Sequence, residues 1–430
     1  MRNSLLVSKP IWWLLLSVVS AGSMAYYVTE IWSANQPPHF NDLYAPWWGA
    51  HELMWHGRNP YSPEVAHEIQ SVIYGAPATS TAPDDPANIA GGFAYPPYAA
   101  LLLWPTLHLT FVAAQRVFLL ASFLLTLLSV TLWLRPLHVA LSPARWITIA
   151  LFALGSFPAL QALQLQNLSL IASALIAITI FLLTSDRLVL AGVVLAASTF
   201  KPQFTIALVP WLALWTLGDW RRRRPMVWGF LSTMFLLGAL SEWMVPGWIR
   251  SFLTVIRAYR HYTYGHSLLD VWFGLTWGPA TAACLLLAVL LLCWKHRSLA
   301  ADSPRIILVT SLVLAATVVV IPTLAPHTQL LLLPGMLCLW HEKDVLFSGG
   351  TLRRLALAAT WILLAWPWAA TLGLTLAAVR YPARTLLGYW EVPVYTSPLL
   401  PLAVLLALCG LLFTPPKADP RAPEALESRP

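Results

Sequence analysis

The chain has 430 residues, 58% of them hydrophobic and only 10% charged, with a mean hydropathy of +0.67. A water-soluble domain carries about 25% charged residues, so a soluble globular protein is excluded. The formal charge of +8 does not point to nucleic acid, because the basic residues lie mostly in short loops between apolar runs.

Apolar runs on the scale of a bilayer crossing, about 20 residues, recur to the C-terminus. They fall near 11–32, 112–134, 146–163, 168–184, 188–200, 203–218, 226–245, 271–294, 305–322, 327–341, 354–378 and 397–414. The expectation is an all-α polytopic membrane protein of about twelve transmembrane helices, forming one domain over 1–414, with a disordered cytoplasmic tail at 415–430. The first run follows Arg2 and Lys9 and extends through Tyr26, Tyr27 and Trp32. It is longer than the apolar core of a signal peptide and reads as an uncleaved first helix.

With a cytoplasmic N-terminus, alternation places Arg2, Lys9, Arg135, Arg145, Arg187, Arg221 to Arg224, Lys295, Arg297, Arg305, Lys343, Arg353, Arg354, Lys417, Arg421 and Arg429 inside. These are 18 of the 26 Lys and Arg residues, and every cytoplasmic loop obeys the positive-inside rule. The run 98–110 is short and interrupted by Pro105. It reads as an interfacial or re-entrant helix on the outer face, the alternative being a thirteenth short span.

The long polar insert 36–98 is then extracytoplasmic and holds Asp42, Glu52, Glu64, Glu68, Asp84 and Asp85 against Arg58 alone. Within it, 45–57 and 62–75 have the character of short juxtamembrane helices, with Trp47, Trp48 and Trp55 as anchors. Residues 75–92 form a Gly-, Ala- and Pro-rich stretch, a linker rather than a lid. A second outer segment, 246–270, carries Arg250, Arg257, Arg260, His261 and His266 against the charge trend, which suits lipid phosphate or another anion.

The same alternation gathers Gln164, Gln166 and Asn167, then Lys201, then His327 and Gln329 at outer turns. Each alone is explained as a helix cap or a snorkelling group. Together, on the side that holds Asp42, they point to a shared site, and a cation buried at a membrane rim is usually functional or paired.

Other chemistry finds no support. Cys284, Cys293, Cys338 and Cys409 lie in or beside apolar runs without a CxxC, so neither a disulfide framework nor a thiolate metal site is indicated. His51-Glu52 with His56 spaces the second histidine one residue too far for an HExxH zinc helix, and no GxSxG, Walker or GxGxxG motif occurs. No metal and no cofactor are expected.

Asp42-Leu43-Tyr44, Gly57-x-Asn59-Pro60-Tyr61, Tyr95-Pro96-Pro97 with Leu103-x-Pro105, Gln166-Asn167 and Lys201-Pro202 resemble the pattern of glycosyltransferase family 87. The resemblance runs over about residues 10–220, with hydropathy and His327 continuing it. It implies the C-type glycosyltransferase (GT-C) fold and transfer of a sugar, mannose in bacterial members, from a polyprenyl-phosphate donor to a glycolipid or glycan hydroxyl at the outer face of the inner membrane. Many superfamily members pair two acids in the first outer loop, whereas here Asn41 stands beside Asp42.

The resemblance makes Asp42 the general base, its alternative being the N-cap of the 45–57 helix. It brings Lys201 and His327, with Arg257 or Arg260, to the phosphate, and Asn59, Tyr61, Tyr95, Gln166 and Asn167 to the substrates. A transporter or flippase of a lipid-linked glycan, or a glycan polymerase or ligase, remains the alternative. A transporter puts its polar groups at the bilayer midplane in repeated halves, and no repeat is present.

Overall fold

The structure is a computed structural model describing residues 4–36, 41–77, 85–139, 141–262, 265–322, 325–348 and 350–413. The expected tail, and residues 78–84 of the expected linker, lie outside the described residues. Every regular element described is helical.

Helix α1 (Ser4–Tyr26) continues through a π-turn and a 3-10 turn to Asn35. The insert then folds as α2 (Tyr44–His56) and α3 (Pro63–Tyr74), and the short α4 (Ala99–Leu103) follows it. The two expected juxtamembrane helices are therefore present. Helix α4 is far too short to cross a bilayer, in keeping with a rim helix between residues 98 and 110.

The chain goes on through α5 (Phe111–Leu134), α6 (Pro143–Leu154), α7 (Phe157–Gln164), α8 (Ser169–Thr184), α9 (Leu188–Ser198), α10 (Pro202–Thr205), α11 (Leu208–Leu217) and α12 (Trp220–Met244). Next come α13 (Trp248–Tyr262), α14 (Leu268–Lys295), α15 (Pro304–Val320), α16 (Leu333–His341), α17 (Lys343–Phe347), α18 (Thr351–Arg380), α19 (Ala383–Leu386) and α20 (Leu400–Leu412).

Among the described residues, six helices are long and apolar enough to cross a membrane. The chain is a multi-pass membrane protein. Trp243 and Val379 are 79% and 86% exposed, as lipid-facing side chains should be. The remaining expected crossings are occupied by shorter helices, so length establishes six spans and not twelve.

The run 146–163, expected as one span, is built of two helices, α6 and α7, that meet at a 61° bend. Pro158 near the start of α7 favours a new helix over continuation of the old one. The Gly155 carbonyl at the break is satisfied by Trp368 Nε1 at 2.7 Å.

Helices α9 and α12 cross on Gly192 and Gly229. A methyl group on Gly192 would overlap the Met226 carbonyl, and one on Gly229 would overlap the Val189 carbonyl. Small residues let backbones approach where lipid offers no hydrophobic drive.

Arg223 breaks from the topology-anchor reading given to the Arg221 to Arg224 run. It is buried, and its guanidinium donates to the carbonyls of Trp215, Arg297 and Leu299 at 2.6–2.7 Å, with its carbon 4.0 Å from the Trp215 ring. Arg221, Arg222 and Arg224 are exposed.

Candidate active site

The site begins where the insert re-enters the bundle. Asn41 Oδ1 accepts the backbone N–H groups of Leu43 at 2.7 Å and Tyr44 at 3.1 Å, closing the open start of α2. Asn41 Nδ2 donates to Gln166 Oε1 at 3.0 Å, and the Asp42 N–H donates to the Leu165 carbonyl at 2.8 Å. The N-cap position of α2 is Leu43, and the side chain that takes the N–H groups at its entry is that of Asn41, not Asp42.

The partner surface is the turn between α7 and α8. Gln166 holds a left-handed backbone with φ of 54°, an uncommon state for a residue with a side chain. That turn sets Asn167 with its amide between two groups: Nδ2 donates to Asp42 Oδ2 at 2.6 Å, and Oδ1 accepts from Lys201 Nζ at 2.7 Å. Oδ1 also takes the N–H and hydroxyl of Ser169 at 2.8 and 2.6 Å, which fixes which way the amide faces.

Lys201 precedes Pro202, so its backbone leaves the helical region (φ −116°, ψ 76°) at the turn between α9 and α10. Its ammonium also donates to Ser169 Oγ at 2.6 Å and lies 5.2 Å from the Phe204 ring centre. Ser169 and Phe204 escaped the sequence reading; Ser169, two residues past Asn167, carried the only local signal.

Asp42 and Lys201 sit at turns, outside the membrane-crossing segments. Burial pushes the Asp42 carboxyl up from its ordinary value, with the Asn167 bond and the Lys201 charge opposing. Burial pushes Lys201 down to about 7, with the Asp42 charge opposing. His327, on the 3-10 turn Pro326–Leu332, is held well below its ordinary value by burial and by the Lys201 charge. Its backbone N–H donates to Gln161 Oε1 at 3.1 Å, while its buried Nδ1 has no hydrogen-bond partner among the described residues. A neutral imidazole with an unused nitrogen can hydrogen-bond a ligand but brings no charge.

The other predicted residues divide. Tyr95 stacks on Phe200 at 6.3 Å, and its carbonyl accepts the Tyr61 hydroxyl at 2.6 Å. Tyr61 is in turn set by its N–H bond to Asn59 Oδ1 at 3.0 Å, and Asn59 is exposed. Asn59 and Tyr61 thus brace the Tyr95 segment. Arg257 is exposed on α13, and no hydrogen bond or ion pair among the described residues joins it to Asp42, Asn167 or Lys201. The Arg260 and His261 side chains lie outside the described residues. Gln329 is spent on the fold, donating to the carbonyl and hydroxyl of Ser397 at 2.7 and 2.6 Å.

Beside the site lies a cavity of about 630 Å³ among α1, α2, α3, α5 and α7. Asn41, Gln115, Gln164 and Gln166 give it polar points; Leu119 and Leu160 are among its apolar lining. Asn41 and Gln166 are shared by the cavity and by the segment that carries Asp42.

A multi-pass helical membrane protein with acid, amide and amine aligned at one end of its bundle defines the class. The model of glycosyltransferase family 87 matches residues 93–323, more than half of the chain, and the chain belongs to that family. It is a membrane glycosyltransferase. No curated protein and no solved structure matches the chain. The match reaches further toward the C-terminus than the sequence resemblance did and starts later. It contains Tyr95, Gln166, Asn167, Lys201, Arg257 and Arg260, and leaves Asp42, Asn59, Tyr61 and His327 outside.

Proposed function

We propose that the chain is an inverting glycosyltransferase that moves a sugar, mannose as the leading candidate, from a polyprenyl-phosphate donor to a hydroxyl of a glycolipid or glycan. Asp42 is the general base. The acceptor hydroxyl attacks the anomeric carbon opposite the phosphate, its proton passes to the Asp42 carboxylate, and the bond from that carbon to the phosphate oxygen breaks. The departing polyprenyl phosphate keeps the electron pair. Lys201 supplies positive charge to the leaving phosphate and neutral His327 a hydrogen bond. No cofactor enters, since the donor carries its own activation.

One observation carries this reading. Asp42 is half-buried, its neighbour Asn41 takes the N–H groups at the entry to α2, and it is linked through Asn167 to the buried Lys201. An acid with no fold-holding duty, placed one amide from a cation, suits proton removal on one side of a sugar and phosphate stabilisation on the other. The 630 Å³ cavity beside Asn41 and Gln166 suits a lipid-borne substrate, being part apolar and part amide-lined.

The topology proposed with it has twelve crossings in a bacterial inner membrane, both termini cytoplasmic and the site on the outer face. Contacts at the opposite end support the alternation: Arg222 pairs with Asp186 at 3.6 Å, and Arg223 reaches the Arg297 and Leu299 carbonyls. Turnover of purified protein with a panel of polyprenyl-phosphate sugars tests the proposal. Release of polyprenyl phosphate coupled to formation of a new glycoside is expected for one donor, and no transfer from any of them overturns the assignment.

A further inference from the structure

Helix α2 ends in an arrangement that the transfer chemistry does not use. Glu52 is buried, and its Oε1 faces His51 Nδ1 at 3.3 Å and His56 Nδ1 at 3.2 Å. All three ligand atoms lie within 4.8 Å of one another. The sequence reading set these residues aside because the histidines miss the HExxH spacing. That spacing serves two imidazoles reaching from successive turns of one helix. Here His56 is the last residue of α2, Gly57 follows in a left-handed conformation (φ 63°), and both imidazoles turn Nδ1 toward one carboxylate oxygen.

We infer that His51, Glu52 and His56 form a binding site for a divalent transition cation of the zinc class, independent of the glycosyl-transfer site. A tetrahedral ion with ligand bonds of about 2.0–2.1 Å spaces its ligand atoms by about 3.3 Å, the separation seen along both edges from Glu52 Oε1. Two imidazoles and one carboxylate select zinc, nickel or copper over magnesium or calcium, which prefer all-oxygen shells.

The surroundings hold the ligands in place. Arg58 Nη1 donates to the other oxygen of Glu52 at 2.7 Å, which leaves Oε1 for the ion. The Arg58 charge is itself met by Glu68 Oε1 at 2.8 Å, so the guanidinium does not repel a cation unopposed. The His51 ring is stacked between neighbours, 5.3 Å from Trp48 and 5.7 Å from Trp47. The His56 side chain is 54% exposed, which gives an ion entry and leaves its fourth position to water. Binding replaces the two Nδ1 contacts with Glu52 by bonds to one cation, each imidazole carrying its proton on Nε2, and ties the end of α2 to the Arg58–Glu68 pair.

Chelator-stripped protein in detergent, titrated with Zn²⁺ against a chromophoric chelator, tests the site. One equivalent is expected, with unfolding shifted to higher temperature by zinc and not by Mg²⁺. His56→Ala, which removes an exposed side chain and leaves the packing of α2 alone, should weaken that equivalent about 10-fold or more, and His51→Gln with His56→Gln should abolish it. Asp42→Asn should keep it, so failure of the transfer mechanism and failure of the metal site are separable. Absence of the equivalent in the wild-type chain, or its undiminished presence in His56→Ala and in the double variant, overturns the inference.

Discussion

Asn167 donates its side-chain N–H to the Asp42 carboxylate at 2.6 Å and turns its carbonyl to the Lys201 ammonium at 2.7 Å. A single planar amide therefore separates a half-buried acid from a buried base without a direct ion pair. Burial disfavours both charges, and the amide dipole suits both: positive end to the carboxylate, negative end to the ammonium. A direct pair would quench both groups. The amide keeps them apart and oriented, which is what a reaction with separate proton and phosphate ends requires.

Asp42→Asn is expected to cut turnover by roughly 10²-fold or more, the usual scale for loss of a positioned base, with folding and donor binding retained. The new amide can still accept the Asn167 N–H through its oxygen. Steady-state transfer with a polyprenyl-phosphate sugar is the measurement, and near-normal turnover in a well-folded variant removes Asp42 from the mechanism.

Asn41→Ala should act on stability first. It removes the acceptor of the Leu43 and Tyr44 N–H groups at the cap of α2 and breaks the bond to Gln166, with an expected loss of about 0.5–1.5 kcal/mol per hydrogen bond. Asn41→Ser should restore the cap and leave the Gln166 bond broken. Thermal unfolding of the pair of variants checks this; equal stability of Asn41→Ala and the wild type would mean that α2 does not depend on the cap.

Asn and Asp cap helices about equally well, so the adjacent Asn41 and Asp42 could not be sorted by type. Only the fold, which lays the Gln166 turn against Asn41, decides it. The apolar runs were legible because backbone groups in lipid must bond within a helix, which makes run length a strong signal. The place of the α6–α7 break is not legible because Gly155, Ser156 and Pro158 sit inside an otherwise apolar stretch. Lys201 and Asn167 stood out as polar residues at turns; their meeting did not, since 34 residues separate them. The four consecutive arginines look alike in sequence, and only packing distinguishes Arg223.

Arg223→Ala should therefore differ from its neighbours. It leaves the Arg297 carbonyl without a donor among the described residues, takes from the Trp215 and Leu299 carbonyls one of two donors (the Gly218 N–H and Trp215 Nε1 remain), and opens a gap over Trp215; an unsatisfied buried acceptor costs roughly 1–3 kcal/mol. Arg221→Ala and Arg224→Ala remove exposed charges and should change stability by well under that. Unfolding midpoints in detergent for the three variants make the comparison. Equal midpoints would mean that the guanidinium clamp contributes nothing.

The pH profile of transfer should be bell-shaped. The base must be deprotonated, and burial raises the Asp42 carboxyl, so turnover falls as pH drops through a value above the ordinary carboxylate range. The leaving phosphate needs a protonated amine, and burial brings Lys201 down to about 7, so turnover falls again as pH rises through that value. Lys201→Ala changes both limbs. It removes the alkaline one outright, and it withdraws the positive charge that partly holds Asp42 down, which moves the acid limb to higher pH. Residual activity in this variant should be lower throughout and rise monotonically with pH. An alkaline limb that survives Lys201→Ala would assign that proton to another group and separate Lys201 from the phosphate.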